Sequence, residues 1–154
     1  MTISIETLRE LRHEFHRFPE LGFQEKQTKI KIASFLKAKG LEVVEGVGVV
    51  GILKSGTGTK IIGLRADMDA LPIQETSKHA YSSTYPGVMH ACGHDGHMTM
   101  LLGAAEELAH SLDFDGTVIF IFQPNEENGL GAKAMLDEGL LSKFPISNIF
   151  AVHN

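Results

Sequence analysis

Two kinds of hydrophobic pattern alternate along the chain. Between residues 3 and 18 apolar side chains recur at helical spacing (Ile5, Leu8, Leu11, Phe15, Phe18), and Pro19 stops the run. The same period predicts a second helix over 24–39, with Ile30, Ala33, Phe35 and Leu36 on its inner side and Gly40 as its terminator. The pattern then shifts to β-branched runs at 41–44 and 49–54, broken by Gly46 and Gly48, which predicts two short strands joined by a turn. A third strand is predicted at 60–65, a Ser/Thr/Pro-rich loop at 72–88, and a helix at 95–110 buried along Met98, Leu101, Leu102, Ala105 and Leu108. Residues 117–122, Thr-Val-Ile-Phe-Ile-Phe, are apolar on both faces, as in a strand covered from both sides. A short helix at 131–138 and a last strand at 148–152 complete the set.

Strands alternating with helices predict an α/β fold, with a mixed, mainly parallel sheet and helices on both faces. The 154 residues, 43% hydrophobic and 21% charged, suit one globular domain with a real core. The net charge of −5 and the scattered Lys and Arg argue against nucleic acid or an anionic membrane as partner. A single cysteine excludes an internal disulfide. The first residues lack the pattern of a secretory signal, and no apolar stretch is long enough to span a bilayer, so a cytoplasmic protein is expected. The chain stops at Asn154, directly after a predicted strand, which is the expectation for a fragment.

Candidate chemistry gathers around residues 89–97, Met-His-Ala-Cys-Gly-His-Asp-Gly-His. One thiol (Cys92) and three imidazoles (His90, His94, His97) in so short a space suit a borderline-soft divalent cation, zinc first. A polar loop with a chance cluster of histidines is the plain alternative. Open α/β sheets place ligands at the carboxyl ends of their strands. Asp67 and Asp69 follow the strand 60–65, Glu126 and Glu127 the strand 117–122, and His153 the strand 148–152, so all can share one rim. Paired glutamates can divide the labour, one binding a cation and the other taking a proton from water, although acids before a helix also suit its dipole. Asp67 and Asp69 are expected to face different ways, one toward the site and one capping the loop. His97, three residues after His94, shares its helical face and is left open as a ligand. Histidines 13, 16, 79 and 110 are expected to be surface or helix residues. Cys92 as a nucleophile is a weak third reading, because a glutamate pair is not the usual company of a catalytic thiol.

Four segments in register resemble one family: residues 63–72 (Gly-Leu-Arg-Ala-Asp-Met-Asp-Ala-Leu-Pro), 89–97, 123–127 (Gln-Pro-Asn-Glu-Glu) and His153-Asn154. They are similar to the metal-dependent amidohydrolases that include hippurate hydrolase, N-acyl-amino-acid amidohydrolases and auxin-conjugate hydrolases. Residues 12–16 and 19–23 carry the likeness to the N-terminal region. The resemblance implies two divalent cations per full-length subunit (zinc or manganese, with nickel or cobalt as options) held by Cys92, His94, Glu127, His153 and one further histidine. It implies Glu126 as general base and Asp69 as a supporting carboxylate, and it does not make His97 a ligand. Asp67 is left unassigned. It implies hydrolysis of the amide bond of a small N-acyl amino acid, and a homo-oligomer at full length. Asn125 and Asn128 depart from the Ala and Gly usual in relatives. Relatives also run more than twice as far, so residues 1–154 are expected to be the N-terminal part of the catalytic domain, without its lid or dimerisation domain and inactive alone. The alternative is a non-catalytic metal-binding or interaction module.

Overall fold

The computed structural model describes residues 3–154. Two helices open the chain, α1 (Ile5–Arg17) and α2 (Lys26–Ala38). Strands β1 (Glu42–Glu45), β2 (Val49–Ser55) and β3 (Ile61–Asp67) follow, then the long helix α3 (His94–Ser111) and strand β4 (Gly116–Gln123). Short helices α4 (Gly131–Asp137) and α5 (Leu140–Lys143) lead to β5 (Asn148–Ala151). The predicted elements are all present. The differences are local: β3 runs on to Asp67, and α5 was not foreseen.

One five-stranded sheet has the order β1-β2-β4-β3-β5. It is mixed, as expected, but parallel pairing does not predominate. β3 pairs in parallel with β4 and β5, while β2 pairs antiparallel with β1 and β4. Parallel neighbours run the same way, so β3, β4 and β5 all end at one edge, with Asp67 opposite Gln123 and Arg65 opposite Ala151.

Strand β4 explains the two-faced cover. Its side chains alternate across the sheet. Val118, Phe120 and Phe122 point into the larger core with Leu11, Phe15, Ile32, Leu36, Met98 and Leu102 from α1, α2 and α3. Ile119 and Ile121 face the opposite way, onto Met135 and Leu140 of α4 and α5. Helix α2 buries Thr28, Ile32, Ala33 and Leu36. Residues 28, 32 and 36 form one row at four-residue spacing. Ile30 lies between rows and is exposed, contrary to its predicted inward position. Strand β5 is the exposed edge of the parallel half. Among the described residues no helix is long and apolar enough to cross a membrane.

Phe120 is fully buried, whereas Val152 is 71% exposed. Phe120→Ala is expected to lower the unfolding free energy by about 3–5 kcal/mol, and Val152→Ala to change it by less than about 0.5 kcal/mol, measured by denaturant titration.

Candidate metal centre

The shared rim holds the chemistry. Gly93 precedes α3 with φ of 85°, in the left-handed region open to glycine. A Cβ there would also meet the Asn154 side chain at 2.6 Å. This turn sets His94 at the first position of α3, fully buried. The His94 Nδ1–H donates to the Asp69 backbone carbonyl at 2.8 Å and lies 3.4 Å from the Asp69 carboxylate. Its Nε2 is buried and has no hydrogen-bond partner. That nitrogen faces oxygens of Asp67, Glu126 and Glu127, each at 3.7 Å. Such spacing suits donors around a shared ion, since two ligands each about 2.1 Å from a tetrahedral cation lie about 3.4 Å apart.

Two groups here offer ligand atoms within 4.8 Å of one another: Cys92, His94 and Glu127, and Asp67, His94, His97 and His153. They share His94. The Cys92 Sγ is 3.8 Å from the His153 Nε2, which is 3.7 Å from Asp67. The structure therefore brings Cys92, His94, Glu127 and His153 together, with Glu126 and Asp69 beside them. Asp67 lies in the cluster and Asp69 holds the loop after β4, as expected of the pair, but both also reach His94. Every second residue of an extended segment returns to the same side, and the two carboxylates meet His94 from its two ring nitrogens. Both Asp69 oxygens are engaged further, accepting the backbone N–H of Glu126 at 3.0 Å and of Glu127 at 3.1 Å. His97 lies in the cluster, but its Nδ1–H donates to Asp67 at 2.7 Å and its Nε2 sits 2.8 Å from the Asn154 side-chain oxygen.

The electrostatics are one-sided. Burial opposes charge on His94, yet the Asp69 hydrogen bond and the field of Asp67 outweigh it and raise its pKa. Burial pushes the Asp69 carboxyl up, but hydrogen bonds from His94, Glu126 and Glu127 bring it below its usual value. Burial, with the charges of Glu127, Glu126 and Asp67, pushes the Cys92 thiol up to about 11. A thiol nucleophile needs the opposite shift, so these surroundings speak against that reading.

A second polar layer lies behind the rim. His16, expected at the surface or on a helix, is on α1 but buried. It bonds Asp95 at 2.9 Å and Glu75 at 3.3 Å. Arg12 joins at Asp95 from 3.2 Å. His13 and His79 stack on Tyr81, with ring centroids 3.8 and 5.1 Å away. His90 takes no part in the rim. It is 4% exposed and neither ring nitrogen has a partner. The periodicity of α1 placed His16 on a helix, but no local signal pairs it with Glu75 or Asp95, which lie 59 and 79 residues away.

Fold and rim together define an α/β protein with a thiol, imidazole and carboxylate cluster on the carboxyl edge of its parallel strands. The sequence profile of peptidase family M20/M25/M40 matches residues 63–154, and the chain belongs to that family. A hippurate hydrolase of Campylobacter jejuni is 52% identical over 147 residues, covering 94% of this chain and 38% of that protein. IAA-amino acid hydrolase ILR1-like 5 of Arabidopsis thaliana is 45% identical over 146 residues, 93% of this chain and 33% of its own length. Among solved structures, the YXEP protein of Bacillus subtilis, a dinuclear metal binding peptidase of the M20 family, matches with a TM-score of 0.92 at 40% identity. That match covers 97% of this chain and 42% of the other. The chain thus spans between a third and about two fifths of the length of these relatives.

Burial lowers the His90 pKa from 6.5 to about 4. The folded state holds this ring neutral, so its contribution is complete above pH 6.5 and is lost as pH falls toward 4. Between pH 7.5 and pH 4, wild type is expected to lose about 3 kcal/mol more unfolding free energy than His90→Leu. Denaturant titrations at the two pH values measure the difference.

Proposed function

We propose that the protein carrying this chain is a metal-dependent hydrolase that cleaves the amide bond of small, hippurate-like N-acyl amino acids. The observation that carries this reading is the buried, unpartnered Nε2 of His94, ringed by carboxylate oxygens. A buried polar atom without a partner is rare in a folded protein. The sulfur, nitrogen and oxygen donors around it fit zinc or manganese. Cys92, His94, Glu127 and His153 are the ligands in this reading, for two cations together with a further histidine. His97 is left out because both its ring nitrogens are already engaged. The hippurate hydrolase relative supports the substrate class, and the dinuclear peptidase supports the pair of cations.

A divalent cation in such a centre supplies Lewis acidity to the scissile carbonyl and to the attacking water. The chain's own residues do the rest. Asp69 fixes His94 with its proton on Nδ1, so that the Nε2 lone pair faces the cluster. The Glu126 side chain is 35% exposed and its Oε2 is 3.7 Å from the His94 Nε2, so it can reach both solvent and the centre. It accepts the proton of the attacking water and delivers it to the leaving nitrogen as the C–N bond breaks. Glu127, at the same distance but less exposed, serves as ligand.

Glu126→Gln is expected to keep cation binding while lowering amide turnover by about 100-fold or more. Undiminished glycine release from benzoylglycine by that variant in the complete protein removes Glu126 as the base. The 154-residue chain alone is expected to release little or none. Cation uptake displaces the Cys92 proton, so affinity should rise about tenfold per pH unit above neutrality. Calorimetric titration with Mn²⁺ at two pH values reads this slope, and Cys92→Ser should flatten it.

A further inference from the structure

Three consecutive backbone N–H groups, those of Asn125, Glu126 and Glu127, converge on two buried carboxylates. Asp69 takes the second and third. The first goes to Glu25, whose Oε1 accepts the Asn125 N–H at 2.8 Å from a hundred residues away. Glu25 is the residue before α2, yet its carboxylate makes no capping bond to that helix. Glu20 does that work instead, accepting the N–H groups of Gln27 at 3.1 Å and Thr28 at 2.8 Å. The Glu25 side chain is thereby free to cross to the loop after β4.

Glu25 is only 3% exposed. Burying a carboxylate is unfavourable unless it is well bonded, and burial, aided by Asp69 and Glu20, raises its pKa against the hydrogen bonds it accepts. The same segment leans on the loop through Gly22, where a Cβ would collide with the Asn125 side chain. Asn125 itself has φ of 46°, a left-handed conformation that Asn tolerates better than most residues. Its Oδ1 accepts the Asn128 side-chain amide at 2.7 Å. The Glu25 and Gly22 contacts act at Asn125, directly ahead of Glu126 and Glu127.

We propose that Glu25 is a positioning residue that, together with Asp69, aims the Glu126 and Glu127 side chains at the His94 cluster. The inference rests on the metal-centre reading above. Without Glu25 the buried Asn125 N–H loses its acceptor, and Asp69 is the one carboxylate left on these three N–H groups. Outer partners of this kind commonly change metal affinity by 10–100-fold.

The test compares Glu25→Ala, Glu25→Gln and the control Glu20→Gln in the complete protein. Gln keeps a carbonyl that can accept the Asn125 N–H, whereas Ala does not. Two readouts are taken: amide hydrogen exchange at 125–127 without added cation, and the Mn²⁺ dissociation constant by calorimetry. Glu25→Ala is expected to speed exchange at 125–127 and weaken Mn²⁺ binding by about tenfold or more, with Glu25→Gln within about threefold of wild type. Glu20→Gln should lower the melting temperature and leave the dissociation constant unchanged. Wild-type Mn²⁺ affinity in Glu25→Ala, or failure of Gln to restore it, overturns the proposal. If Glu25→Ala does not fold, Glu25→Asp, one methylene too short to reach, replaces it with the same expectations. A wild-type protein that takes up neither Mn²⁺ nor Zn²⁺ overturns the metal-centre reading instead, and exchange at 125–127 still decides whether Glu25 holds the loop.

Discussion

Parallel pairing of β3 with a strand on each side is the constraint from which the rest follows. It aligns three strand ends in register, so the segments leaving β3, β4 and β5 emerge on one edge. Asp67 and Asp69 come from the first, Glu126 and Glu127 from the second, His153 from the third. The helix that must return the chain from β3 to β4 starts on that same edge, and its opening turn carries Cys92 and His94. Antiparallel β1 and β2 add breadth and core but contribute none of these side chains. The apolar alternation of β4 keeps this arrangement rigid, because a slip of one residue would turn Phe120 and Phe122 out of the larger core.

Charge imbalance gives the rim its character. Asp67, Asp69, Glu126 and Glu127 surround one buried imidazole, with a thiol and another histidine within reach. Burial and the field of these carboxylates lift the Cys92 thiol, while the Asp69 hydrogen bond and the field of Asp67 favour a proton on His94. A multivalent cation reverses both effects at once.

Much of this was legible in the residues. Period-two and helical patterns locate the elements because each buries one definite stripe, and the strand-end rule gathers the polar residues onto one rim. Ile30 was misplaced because several residues of α2 are apolar or small, and only packing tells which row faces inward. Asp67 and Asp69 divide as expected, but both reach His94, because an extended segment returns alternate residues to one side. The polar layer of Glu75, His16 and Asp95 and the reach of Glu25 to Asn125 were not legible, because such pairs are joined by tertiary approach alone. No spacing along the chain encodes a bond across a hundred residues.

The cluster draws on segments from Asp67 to His153, and Glu127 and His153 reach it only through the pairing of β4 and β5 with β3. Its completion therefore requires the pairing of strands distant in sequence, which is slow because loop closure must come first. A cation at this rim would meet its full set of donors only where β5 is paired with β3.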